Sequence, residues 1–149
     1  MIRRLDLEKE NMPTIFKGFE QDSKFIKVDL DYSDKTYRDL IGRGVGQIFL
    51  LFDDDTGDLV GGLGCIKAPD LHSGDMIAIE TFWYVLPQCR NKMLGMELLF
   101  TFEQWAKEEG CTKVAMIHLA DSAPESLEKL YLTMGYRLLE KHYIKEVQP

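Results

Sequence analysis

Apolar and polar residues follow one another with a period that changes several times along the chain. Residues 2–5 form a short apolar-edged run that predicts an opening strand. Residues 7 to about 19 and 33 to about 41 carry apolar residues at helical spacing and predict two helices, separated by a polar, acid-rich segment. Pro13 falls inside the first pattern, so that helix starts there or bends, because proline has no amide proton to give. Residues 47–52 and 59–66 predict two strands joined by Asp53-Asp-Asp-Thr-Gly-Asp58, a hairpin composition in which Gly57 can take positive φ. A loop over 68–75 leads to the most apolar strand, 76–86.

From 91 to 109 the period becomes helical. Leu94, Leu98, Phe102, Trp105 and Ala106 share one stripe, and Gly110 supplies the stop. Residues 113–119 predict another strand. Ser122-Ala-Pro-Glu125 has the capping-box pattern of a helix start, Leu127, Leu130, Tyr131 and Met134 form its apolar stripe, and Gly135 is placed at its end. Residues 136 to about 144 predict a closing strand. No repeat, low-complexity tract or linker interrupts this order, so residues 1–149 read as a single α/β domain.

Composition narrows the function classes. Hydrophobic residues make up 45% and charged residues 29% of the 149, which suits a globular chain with its own core. No apolar run is long enough to cross a bilayer, and residues 1–7 lack a signal-peptide core, so a cytoplasmic setting is expected. The net charge of -7 shows no basic stripe for a phosphate backbone and favours a neutral or cationic partner such as an amine. Cys65, Cys89 and Cys111, like His72, His118 and His142, are scattered, which predicts reduced thiols and no metal centre. Asp53-Asp-Asp55 reads as turn chemistry.

Three glycine-bearing stretches compete as phosphate loops. Arg43-Gly-Val-Gly46 ends a helix, and Gly61-Gly-Leu-Gly64 lies inside a strand, where glycine marks a bulge or a close backbone approach. Only residues 90–95 follow a strand and open a helix, where unpartnered amides and the helix dipole attract an anion. Arg90 and Lys92 would add cationic donors there; two surface basic residues at an ordinary helix start is the competing reading.

Here the residues resemble the GNAT superfamily of acyl-CoA-dependent N-acyltransferases. Val85-Leu-Pro-Gln-Cys-Arg-Asn-Lys-Met-Leu-Gly95 is similar to that family's V-x-P-x-x-[RQ]-x-x-G-x-[GA] motif, and Leu130-Tyr-Leu-Thr-Met-Gly-Tyr136 to its L-Y-x-x-x-G-[FY] element. Val60-Gly61 sits where the family often has the same pair, and residues 80–85 with their glycine-poor turn look most like small phage-encoded members. The resemblance implies a single-domain mixed, mostly antiparallel sheet with about four flanking helices, in which the strands around 76–86 and 113–119 run parallel and splay apart. It implies acetyl-CoA in that V, with Tyr84 and Val85 beside the pantetheine and Arg90, Asn91, Lys92, Met93, Leu94 and Gly95 around the diphosphate. Met93 replaces the motif's glycine. An ordinary helical backbone there would still let its amide donate, so weakened rather than abolished binding is expected.

Acyl transfer to an amine needs a proton acceptor, a polarised carbonyl and a proton for the leaving thiolate. Glu80 is the one charge in its strand, and burial would raise its pKa towards that of a general base; facing solvent or bracing the sheet are its other readings. His118 is the second candidate base, with packing as its other reading. By the resemblance Tyr131 protonates the thiolate, although it also fits the apolar stripe of its helix. Cys89 and Cys111 lack a base nearby in sequence, and Trp83 and Tyr84 suit packing. The reading is direct transfer from acetyl-CoA to a primary amine of a small molecule or protein. Its alternative is a non-catalytic GNAT-like interaction protein, such as a phage accessory or virion protein acting in a host cytoplasm. Action on aminoacyl-tRNA is disfavoured by the acidic balance. No motif marks the acceptor, nucleic acid and membrane are not expected partners, and a homodimer is compatible with the resemblance.

Overall fold

The computed structural model describes residues 1–121 and 124–148, with the side chains of Asn91, Lys92 and Pro124 outside the description. The chain divides into two compact units, Met1–Ile117 and His118–Pro149.

The first unit is built on a five-stranded sheet of order β1-β2-β3-β4-β5: β1 Ile2–Arg4, β2 Gly46–Phe52, β3 Leu59–Pro69, β4 Met76–Val85 and β5 Lys113–Ala115. Neighbours from β1 to β4 are antiparallel, and β5 runs parallel to β4. The expected mixed, mostly antiparallel sheet with one parallel pair is what the chain forms. Asp53 holds the β2–β3 turn, its carboxylate accepting from the amides of Asp55 at 2.8 Å and Thr56 at 3.1 Å, while Gly57 takes φ 74°.

Two helix boundaries differ from the periodic pattern for local reasons. No helix covers residues 7–13. Pro13, extended at ψ 137°, instead precedes a 3-10 helix, Thr14–Asp22. Helix α1, Leu30–Gly42, starts ahead of the predicted Ser33, because Asp29 caps it by accepting from the Tyr32 amide at 3.0 Å. Together these two segments bury Phe16 and Tyr37 against Ile48, Leu50, Phe82 and Tyr84, with Leu5, Leu7 and Met12 closing the cluster. Strand alternation turns Phe49, Leu51 and Leu63 to the other face, where α2, Gly95–Glu108, lays down Leu98, Leu99, Phe102 and Trp105. Each such large side chain contributes about 1.5–3 kcal/mol of burial, so the sheet is clamped from both sides.

In the second unit, helix α3 spans Pro124–Thr133 and ends at Gly135, φ 89°, as its glycine predicts. The Tyr136 amide bonds back to the Tyr131 carbonyl at 2.9 Å. The Ser122 cap lies outside the described residues. The strand predicted over 136–144 is not formed: among the described residues no sheet pairing extends beyond Ala115. An alternating apolar pattern becomes a strand only against a ladder partner.

Candidate functional site

The parallel pairing of β4 and β5 is brief, matching Ile77, Ala78 and Ile79 with Lys113, Val114 and Ala115. From Glu80 to Val85, β4 stays paired with β3 on one side, while its other edge has no strand partner among the described residues. β5 ends at Ala115 while β4 continues to Val85, so this side of β4 is a strand edge lined by main-chain groups. The Leu86 amide bonds across to the Val60 carbonyl at 2.8 Å, so alternation turns the main chain of Val85 towards the open edge.

Glu80 stands where the pairing with β5 ends. It is only 4% exposed and lies across from the fully buried Cys65, and its carboxyl accepts from the Ile117 amide. Burial pushes its pKa up to about 8, with the Ile117 amide pulling the other way. Burial likewise raises the Cys65 thiol, which stays neutral. Immediately beside Glu80 the ladder steps from Gly64↔Phe82 to Cys65↔Glu80, leaving Thr81 as the extra residue of a β-bulge.

At the far end of this edge, β4 runs through a 3-10 helix, Pro87–Lys92, into α2. The predicted helix start at Asn91 therefore moves to Gly95. Met93 joins the two helices in the left-handed conformation, φ 57° and ψ 15°, the one non-glycine residue with positive φ among those described. The ordinary helical backbone expected there is not found; the turn keeps the geometry of the motif's glycine although methionine occupies it, with the side chain 74% exposed. The Met96 and Glu97 amides make long, 3.2 Å bonds to the Met93 and Leu94 carbonyls. The start of α2 at Gly95, directly after the left-handed turn, is a helix N-terminus of the kind that fits a phosphate. A Cβ on Gly95 would stand 3.4 Å from the Trp83 ring, an ordinary contact, so the packing of α2 beside β4 does not itself demand glycine there.

Arg90 is exposed but fastened to the protein's own atoms. Its Nε donates to the Val85 carbonyl at 2.8 Å, its Nη2 meets Asp22 at 2.9 Å, and the guanidinium lies 5.5 Å from the centre of the Tyr84 ring. It braces the turn against the Thr14–Asp22 segment. Tyr84 is buried, in edge contact with Phe19. The Asn91 and Lys92 side chains lie outside the described residues. Strand β5 ends at Ala115, so His118 is not the strand residue that its sequence setting predicted. Tyr131, in the second unit, is buried with its ring 5.6 Å from that of Tyr136. Among the described residues, no group of three or more side chains could hold a metal ion.

Sequence reading missed Tyr37, Thr81 and Asp22. Tyr37 looks like any stripe residue of an amphipathic helix, and nothing local marks Thr81 as a bulge or Asp22 as the partner of an arginine 68 positions away.

A family model described as the acetyltransferase (GNAT) family matches residues 12–136. A stretch of 60 residues is 37% identical to the aminoglycoside N(6')-acetyltransferase type 1 of Klebsiella aerogenes, covering 40% of this chain and 39% of that protein. The match thus spans about two fifths of the length of that relative. Among solved structures, AAC(6')-Iy in complex with the bisubstrate analogue CoA-S-monomethyl-acetylneamine aligns at TM-score 0.71 and 17% identity, over 100% of this chain and 98% of that one. The ribosomal-protein-alanine N-acetyltransferase of Brucella melitensis biovar Abortus 2308 aligns at TM-score 0.73 and 19% identity, over 99% and 98%.

Proposed function

Because the chain belongs to the acetyltransferase (GNAT) family, whose members use acetyl-CoA, we propose that it transfers the acetyl group directly to a primary amine of a small polycationic molecule of the aminoglycoside class. The observation that carries this reading is the open β4 edge leading into the left-handed turn at Met93, from which α2 starts. The acceptor class rests on the curated relative's name and on the net charge of -7.

Bound acetyl-CoA supplies an acyl group already activated as a thioester. The amides of Met93, Leu94 and Gly95 hold the diphosphate, and the edge at Tyr84 and Val85 aligns the pantetheine. Glu80 takes the proton that the amine must lose as its nitrogen bonds to the acetyl carbon. With a pKa of about 8 it is a stronger base than an exposed carboxylate, at the cost of being mostly protonated at neutral pH. As the carbon–sulfur bond breaks, Tyr131 gives its phenolic proton to the departing sulfur, a role supported by its place in the Leu130–Tyr136 motif. Residues 1–149 serve this chemistry as one domain, in keeping with a family match that runs through both units. The resemblance also supports a homodimer in a cytoplasmic setting.

The second reading, a non-catalytic interaction protein of the phage accessory kind, is favoured by Met93 standing where the motif has glycine. Thiol release from acetyl-CoA, followed with a panel of aminoglycosides, linear polyamines and peptide amines, separates the two. The enzyme reading expects turnover with at least one aminoglycoside. It also expects a Tyr131→Phe variant that is slower by about tenfold or more with unchanged acetyl-CoA affinity. Absence of acetyl-CoA binding in calorimetry at millimolar ligand removes it.

A further inference from the structure

The bulge in β4 is fastened from outside the sheet. Thr81 is the residue that the β3 ladder passes over, and its hydroxyl shares a hydrogen bond with the phenol of Tyr37, from the middle of α1. Tyr37 is buried, its ring edge-on to Phe82 with centroids 6.2 Å apart. Burial lifts its pKa to about 12, so the phenol keeps its proton at any working pH. The space for this contact is made by Gly64, across the ladder. A Cβ on Gly64 would come 2.6 Å from the Tyr37 oxygen and 2.4 Å from the Phe82 ring. Three elements therefore converge on one extra residue.

That residue adjoins Glu80. In a strand, moving the extra residue by one position exchanges the faces of the side chains it passes. Whatever pins Thr81 thus also decides which way the Glu80 carboxyl points and how the open β4 edge is presented. We propose that the Tyr37 hydroxyl is a positioning group for acetyl transfer: by holding Thr81 it locks the bulge, and with it the Glu80 carboxyl, against the amine and the acetyl group. This rests on the acetyltransferase reading and on Glu80 as the base. Tyr37 touches neither reactant and acts only through β4.

The test is steady-state kinetics on the full chain, with acetyl-CoA and the best amine of the panel above, for Tyr37→Phe, Thr81→Val, Thr81→Ser and the Tyr37→Phe/Thr81→Val pair. Tyr37→Phe and Thr81→Val are each expected to lower kcat about tenfold while leaving KM for acetyl-CoA within about twofold, as misplacement of a reacting group does. Thr81→Ser, which keeps the oxygen, restores most of the rate. The double variant is no slower than either single one, since both remove the same bond. A purely structural role instead gives lower melting temperatures with kcat unchanged, and that result, or a Thr81→Ser variant as slow as Thr81→Val, overturns the proposal alone. A wild-type chain that neither binds acetyl-CoA nor releases its thiol with any amine overturns the acetyltransferase reading, and the proposal with it.

Discussion

In the proposed mechanism Glu80 ties acetyl transfer to the stability of the chain. Its folded pKa, about 8, lies above the 4.5 of an ordinary glutamate. The stabilisation linked to its neutral form is complete below the lower value and is lost as pH rises through the higher one. Between the two the slope is about 1.4 kcal/mol per pH unit. Urea unfolding is expected to show Glu80→Gln gaining on the wild type steadily from pH 5 to 8; a constant difference counts against the buried carboxyl. Activity has the opposite sign, because only the ionised carboxylate accepts a proton. The wild-type kcat/KM climbs towards a limb near pH 8, and Glu80→Gln loses that limb together with most of the rate. Met93 makes a second test at single-residue level. A side chain in the left-handed region costs about 1–2 kcal/mol, offset by the roughly 0.5–1 kcal/mol of extra chain entropy that glycine loses on folding. Met93→Gly is therefore expected to raise stability by about 0.5–1 kcal/mol in denaturant titration and to tighten acetyl-CoA binding by removing a bulky neighbour from the turn. Unchanged values on both counts would mean that the methionine is unstrained.

Among the elements, the glycines of β3 show how sequence and packing meet. Gly64 reads in sequence as a bulge or close-approach glycine, and the approach proves to be that of Tyr37 and Phe82. Gly64→Ala must push one of them aside, at a cost of about 1–3 kcal/mol. A melting temperature equal to wild type would show that the contact yields freely. The strands were legible because β2, β3 and β4 are apolar runs separated by turns whose chemistry is written locally, in Asp53 and Gly57 above all. The stop at Gly135 and the strand-to-helix setting of residues 90–95 were legible for the same reason. What stayed hidden depends on distant partners or on competition between neighbours. The apolar alternation of 136–144 found no ladder, whereas the helix start that Pro13 offered in sequence is the one the chain uses. The left-handed Met93 defies its own residue type, and Arg90, which the sequence offers to a phosphate, reaches Asp22 instead. A pattern tells which face is apolar; it does not tell which atom will arrive.

For the whole molecule, charge is the property most open to test. With a net charge of -7, a polycationic acceptor is drawn in from a distance, and that attraction is screened by salt. Raising ionic strength from about 0.05 to about 0.5 M is expected to lower kcat/KM for an aminoglycoside severalfold while leaving kcat nearly constant, whereas a monoamine is far less affected. Equal salt dependence for the two would remove charge as a determinant of acceptor choice. The sheet also carries a kinetic consequence. Strands β2, β3 and β4 join through short hairpin-like connections and can zip up early, but β5 must wait for the whole of α2 to cross before its three residues find β4. A refolding chain would then regain most of its β signal in a first phase and its ability to capture acetyl-CoA only in a later one, so that ligand uptake serves as a clock for the last step of assembly.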